Sequence, residues 1–243
     1  MTNVVVPMAG AGSRFVEAGY DVPKFLLDVK GRPMIQRAVW GCDIGGKHIY
    51  IVQKSHSEKY KLRELLPTLM PLLECVVIEV DGPTEGAAAT ALLAKEFIDN
   101  DDLLVICDSD GIVDWLANHF LREVGEGRDL DGAIATFPAE GDRWSYVELN
   151  EKNLVSRVAE KEPISDKGCA GIYYWRYGSD FVKYAEQMIA NDTRVNGEFY
   201  IAPVYNEAIK AGKKIGTYDV DSYVSLGTPA DYEKYVSDGP KKP

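Results

Sequence analysis

Two short stretches hold the residue types and spacings that could do chemistry. The first reads VVVPMAGAGSRFVEAGYDVPKFLL, from Val4 to Leu27. A β-branched run ends at Pro7. Met8 and Ala9 lead into a loop of Gly10, Ala11, Gly12 and Ser13, then the cation Arg14, with Lys24 behind Pro23. Glycines after a buried strand let bare N–H groups approach a ligand, and such groups suit an anion. Two cations beyond the loop make that anion a polyphosphate. The pattern is not a Walker A loop, because Gly-Lys-Ser/Thr is missing, nor a dinucleotide fingerprint, because Phe15 stands where the third glycine belongs. Gly-x-Gly alone would be an ordinary strand-to-helix turn; Arg14, Pro23 and Lys24 in register argue for phosphate. The second stretch is Asp108-Ser109-Asp110, directly after the apolar run 103–107. Two carboxylates at a strand mouth near a phosphate loop suit a hard cation such as Mg²⁺, which bridges phosphate oxygens and offsets transition-state charge. Taken alone, the pair would be a solvated acidic turn or the N-cap of a helix starting near Ile112.

These residues need a scaffold that aims them at one place. Runs at 4–7, 49–53, 76–79, 103–107 and 132–137 read as strands, and 34–42, 57–66, 85–98 and 115–124 as helices. Such alternation predicts a layered α/β/α, doubly wound, mostly parallel sheet of Rossmann-like type. Ligands gather beyond the carboxyl ends of such strands, where the loops after Val6 and Cys107 both emerge. From about Gly141 the pattern changes. Segments 145–149 and 154–160 read as a β-hairpin and 171–175 as a further strand, followed by helices at 179–189, 201–211 and 229–236. We expect a single domain over 1–243, with its β-rich part at about 141–200 inserted as a lid, and a frayed tail from Asp238 to Pro243.

The motifs as a set resemble the nucleotidylyltransferase family: the sugar-phosphate nucleotidylyltransferases, or NDP-sugar pyrophosphorylases, and related cytidylyltransferases. The match rests on Gly10-Ala11-Gly12-Ser13-Arg14-Phe15, Pro23-Lys24-Phe25-Leu26 and Gly31-Arg32-Pro33-Met34-Ile35, and it extends along most of the chain. It implies that Arg14 stabilises a leaving pyrophosphate and Lys24 the α-phosphoryl group. Met8 through Ser13, with Asp108 and Ser109, would hold the nucleotide. Mg²⁺ would sit on Asp110 first and Asp108 second. Small residues from Gly82 to Ala91 let a flat base lie against the backbone, and the resemblance places base and ribose on Thr84, Glu85, Gly86 and Ala87. A tightly packed Ala-rich helix explains Ala88 onward equally well. Glu160 and Lys161, followed by Gly171 and Tyr173, would contact a phosphorylated acceptor, unless Lys161 is only a surface ion-pair partner. Glu198, within Asn196-Gly197-Glu198-Phe199-Tyr200, matches an acceptor-side segment or starts a helix. The chain departs from the family at Ser225, where a second metal-binding Asp is common; Asp219 and Asp221 are the nearby substitutes.

Composition narrows the remaining classes. With 38 acidic against 27 basic residues, net charge is −11, which argues against nucleic-acid or anionic-membrane partners. No long apolar run or leader is present, so a cytoplasmic protein is expected; homo-oligomerisation stays open. Cys42, Cys75, Cys107 and Cys169 lack paired-ligand spacing and read as free buried thiols. The three histidines form no metal or triad spacing, and His56 reads as solvent-facing in a loop. The partners expected are an NTP and a phosphorylated small molecule. The missing Gln at 82–89 and the compact length incline toward CTP and toward surface-polysaccharide (capsule) or headgroup precursors. An Asp-x-Asp glycosyltransferase and a nucleotide-binding module without turnover are the competing functions.

Overall fold

The computed structural model describes residues 1–238, so residues 239–243 of the expected frayed tail lie outside the described residues. The chain runs β1 (Thr2–Met8), α1 (Ser13–Glu17), α2 (Met34–Cys42), β2 (Lys47–Gln53), α3 (Lys54–Tyr60), α4 (Leu62–Leu69), β3 (Glu74–Val80), α5 (Ala87–Leu92), α6 (Lys95–Ile98) and β4 (Leu103–Cys107). Next come β5 (Gly111–Asp114), α7 (Ala117–Arg122), β6 (Gly132–Pro138), β7 (Ser145–Leu149), β8 (Val155–Glu160), β9 (Lys167–Trp175), α8 (Gly178–Ala190), α9 (Val204–Lys210), β10 (Ile215–Asp219), β11 (Ser222–Ser225) and α10 (Pro229–Ser237).

The main sheet has the strand order β10-β6-β9-β4-β1-β2-β3. Strands β3, β2, β1 and β4 run parallel, as do β6 and β10; β9 alone is reversed along this path, antiparallel to both β4 and β6. Alternation along each strand splits the core into two layers. Val5 joins Ile49, Ile51, Leu104 and Ile106 on the face covered by α5, α8 and α9. Val4 and Val6 join Tyr50, Val52, Val105 and Cys107 on the face covered by α2, α4 and α7. The α/β/α sheet expected from the sequence is the observed architecture.

Local differences have local causes. Strand β9, read from sequence as residues 171–175 of the lid, is longer and lies in the centre of the main sheet; only the β7–β8 hairpin stands off it, joined through Tyr146 and Gly168. The helix expected at 57–66 is two helices, because Lys61 turns into the left-handed region at φ 51°. The expected 85–98 helix likewise divides into α5 and α6, and the 115–124 helix starts at Ala117 and ends in a π turn at Glu123–Gly127. Residues 201–203 precede α9. No helix starts near Ile112: β5 runs there and pairs with β11 in a separate two-stranded sheet. All four cysteines are free; Cys42, Cys107 and Cys169 are buried and Cys75 is half-buried.

Candidate active site

Adjacent parallel strands β1 and β4 deliver the two motifs to one place. Val5 pairs with Ile106, so the loop after Met8 and the carboxylates after Cys107 leave the sheet side by side. Phe15 anchors the first loop by packing into a cluster with Leu27, Val29, Met34 and Leu226. That anchorage leaves Arg14 exposed, with no carboxylate partner among the described residues. Lys24 opens a 3₁₀ turn, Lys24–Leu26, and its Nζ lies 2.5 Å from Asp110 Oδ2.

Asp108 owes its position to Gly171. The Asp108 N–H donates to the Gly171 carbonyl at 2.8 Å. Gly171 has φ +70°, and a Cβ there would lie 2.5 Å from Asp108 Oδ2. Only glycine fits that approach. Burial first, and then the like charge of Asp110, push the Asp108 carboxyl up to about 7 against the pull of Lys24, with Glu160 adding to the rise. The donors fit a hard divalent ion: two carboxylates, with no third Asp, Glu, His or Cys grouped with them among the described residues. Phosphate oxygens and water would have to complete the shell, as Mg²⁺ commonly requires. A bound dication would draw Asp108 back to its charged form.

Two cavities meet at these residues. The first, about 590 Å³, is lined by Met8, Gly10, Ala11, Gly12, Thr84, Gly86 and Ser109, among others. The second, about 500 Å³, includes Arg14, Ser145, Glu160, Lys161, Tyr173 and Ser225 in its wall. Lys24, Ala87, Asp108, Asp110 and Tyr200 line both. Gly86, at φ +131°, joins the walls: a Cβ would lie 2.4 Å from the Phe199 carbonyl oxygen, and Ala88 N–H donates to that same oxygen at 2.9 Å. Lys161 Nζ donates to Tyr200 Oη at 2.6 Å and stands 4.8 Å from that ring's centroid. Glu160 accepts from Ser145 Oγ, and burial raises its pKa more than this bond lowers it.

No protein-family model matches the chain. It is 25% identical over 211 residues to the bifunctional protein GlmU of Thermotoga maritima, covering 86% of this chain and 45% of that protein. It is 24% identical over 244 residues to the UTP–glucose-1-phosphate uridylyltransferase AglF of Haloferax volcanii, covering 96% and 94%. The nucleoside-diphosphate-sugar pyrophosphorylase of Vibrio cholerae RC9 superimposes with a TM-score of 0.81 at 25% identity, over 97% of this chain and 100% of that one. In sequence and in fold the chain is thus similar to nucleotidylyltransferases. It spans about half the length of the GlmU relative and nearly all of AglF.

Most of the expected residues line one of the two cavities, and several do not. Ala9 is buried and Ser13 begins α1; neither lines a cavity. Glu85 turns away, accepting from Arg194 Nη2 at 2.6 Å. Arg14, expected against the polyphosphate, lines the second cavity rather than the first, and Glu198 lines the first rather than the second. Gly171 supports Asp108 instead of lining the acceptor side. Asp219 is engaged by Lys167 Nζ at 2.7 Å and Thr136 Oγ1 at 2.6 Å, and exposed Asp221 lies at the β10–β11 turn; neither lines either of these two cavities. Ser225 faces the second cavity beside Gly227, and neither Asp219 nor Asp221 joins it there. His56 is not a solvent-facing loop residue: it lies in α3, half-buried, 6.0 Å from the Phe25 ring, and lines the first cavity with Lys59 and Tyr60. Burial, then Lys59, lower its pKa. Arg143, Trp144 and Tyr223, also unanticipated, line the second cavity. Their only sequence signal is their type, since strand pairing and packing across the sheet bring them in.

Proposed function

We propose that this protein couples an NTP to a phosphorylated small molecule, a sugar phosphate or comparable phosphometabolite, and releases pyrophosphate. One observation carries the proposal: the cavity behind the glycine loop and the cavity beside Lys161 share a wall made by Lys24, Asp108 and Asp110. Two phosphate-bearing substrates in adjoining cavities would bring their phosphates together at that wall.

In the reaction, an oxygen of the acceptor phosphate attacks the α-phosphorus in line. A new P–O bond forms as the bond to the β-phosphate oxygen breaks, and pyrophosphate departs with that electron pair. No covalent nucleophile is required; positioning and charge neutralisation do the work. Mg²⁺, held by Asp110 and Asp108, would supply Lewis-acid charge stabilisation. Lys24 serves the α-phosphoryl group, Arg14 the phosphate charge that develops at the junction, and Lys161 the acceptor phosphate. Thr84, Gly86 and Ala87 receive base and ribose, while Glu160 accepts from an acceptor hydroxyl.

The donor we propose is a pyrimidine nucleotide. The sequence inclines to CTP, and the AglF relative is named for UTP. Supply of a surface-polysaccharide precursor in the cytoplasm is the role we attach to this activity. Among the described residues no helix is long and apolar enough to cross a membrane. The test is a panel of four NTPs against phosphosugars and phospho-alcohols with Mg²⁺, reading pyrophosphate. Consumption of a ready-made nucleotide sugar without pyrophosphate would point to the Asp-x-Asp glycosyltransferase, and nucleotide binding without turnover to a regulatory module.

A further inference from the structure

The glycine loop is held from behind by a residue no motif includes. Gln53 is the last residue of β2, and Met8 pairs with Val52, so Gln53 comes alongside Ala9. Its Nε2 donates to the Ala9 carbonyl at 3.0 Å and to the Gly10 carbonyl at 3.1 Å. Two carbonyl acceptors need two hydrogens on one atom, which only the amide nitrogen of this side chain provides.

The consequence follows from peptide geometry. In a planar trans peptide the N–H points opposite to the C=O. Fixing the Ala9 and Gly10 carbonyls toward Gln53 therefore turns the N–H groups of Gly10 and Ala11 the other way. Gly10 and Ala11 line the first cavity and Gln53 does not. Among the described residues these two N–H groups donate to no protein acceptor. Both residues are exposed, so water serves these donors until an anion replaces it.

Resting on the function proposed above, we propose that Gln53 is a positioning residue for catalysis. By holding two carbonyl oxygens away from the cavity, it presents the Gly10 and Ala11 amides to the pyrophosphate portion of the nucleotide. Without it, either peptide can flip and set a carbonyl oxygen against the phosphates. The substrate feature recognised is the polyphosphate, independent of base.

Calorimetric titration with magnesium pyrophosphate tests this on the wild-type protein, Gln53→Leu and Gln53→Glu. Leucine keeps bulk without donors, and ionised glutamate offers only acceptors that repel the two carbonyls. Loss of the paired donors should weaken pyrophosphate binding about tenfold or more in both variants, and raise the KM for NTP with the acceptor KM unchanged. A role confined to stability would lower Tm and leave the affinity of the folded protein as it was. Wild-type affinity in either folded variant overturns the proposal but leaves the function standing. Failure of wild-type protein to bind pyrophosphate overturns the phosphate-loop assignment and the proposal with it. As a measurement needing no variant, the wild-type amide resonances of Gly10 and Ala11 should move downfield on adding magnesium pyrophosphate; unmoved resonances overturn the proposal.

Discussion

Lys24 Nζ and Asp110 Oδ2 are ion-paired at 2.5 Å where the two cavities meet, so the residue expected to serve phosphate already holds the residue expected to serve the metal. Both side chains are mostly shielded, at 30% and 19% exposure, so solvent screens the pair only partly. A metal-bound nucleotide must separate them, and its phosphates offer Lys24 a replacement anion. Lys24→Met should therefore bind Mn²⁺ without nucleotide at least about tenfold more tightly than wild type. Electron paramagnetic resonance of free Mn²⁺ reads this directly, and equal affinities would remove the competition. In turnover assays, Asp110→Asn should lose more than Asp108→Asn; the reverse order would reassign the principal ligand.

Arg14 and Lys161 should fail in different ways. Arg14 has no carboxylate partner among the described residues, so Arg14→Ala should leave Tm nearly unchanged while kcat falls by ~10²-fold or more. Lys161 meets acceptor phosphate in ground and transition states alike, so Lys161→Ala should raise acceptor KM and spare NTP binding. It makes no ion pair among the described residues, its partner being Tyr200, which disfavours a surface salt-bridge role. Separate titrations of the two substrates decide both cases.

Gly171→Ala adds a methyl within 2.5 Å of Asp108 Oδ2, at a backbone φ of +70°. The strained backbone alone costs about 1–2 kcal/mol, and the carboxylate must also move. Expected are a lower Tm and a disproportionate loss of activity, with weaker Mg²⁺ dependence. Normal activity at lowered Tm would show that Asp108 does not need its present position.

The order of elements and the two motif loops were legible from sequence because each is a local pattern. β-branched runs followed by amphipathic stretches gave the α/β/α sheet, and Gly10, Gly12, Lys24 and Asp110 announced themselves by type and spacing. What depends on distant pairing was not legible. The reversal of β9 between β4 and β6 is a property of the assembled sheet. So are the turning of Glu85 toward Arg194 and the support of Asp108 by Gly171. The break between α3 and α4 rests on the single left-handed residue Lys61, which no periodicity marks.

His48 gives the protein an acid-sensitive element away from the site. It is fully buried, and its Nε2 donates to the Ile44 carbonyl at 2.8 Å. Its Nδ1 has no partner among the described residues, so a second proton would be an unpaired buried donor. Burial lowers the folded-state pKa, against the smaller effect of the Ile44 bond. The unfolded chain, with pKa about 6.5, takes up the proton first. The contribution is therefore complete above about pH 6.5 and is lost as pH falls toward the folded value. Asp108 and Glu160, both raised, act with the opposite sign, so the difference between two proteins is the useful quantity. His48→Leu should be less stable at neutral pH, yet lose less Tm than wild type between pH 7 and pH 5. Parallel Tm–pH curves would contradict the assignment.

The account's central claim is that the two cavities hold an NTP and a phosphorylated acceptor that react with each other. The most direct measurement mixes wild-type protein with Mg²⁺, an NTP labelled at the α-phosphorus and a phosphorylated acceptor, and follows label and pyrophosphate together. The account predicts pyrophosphate only when both substrates are present, matched one for one by label in a new diphosphate-linked product that retains the acceptor's own phosphate. Pyrophosphate release without acceptor, or a labelled product lacking the acceptor phosphate, would contradict it.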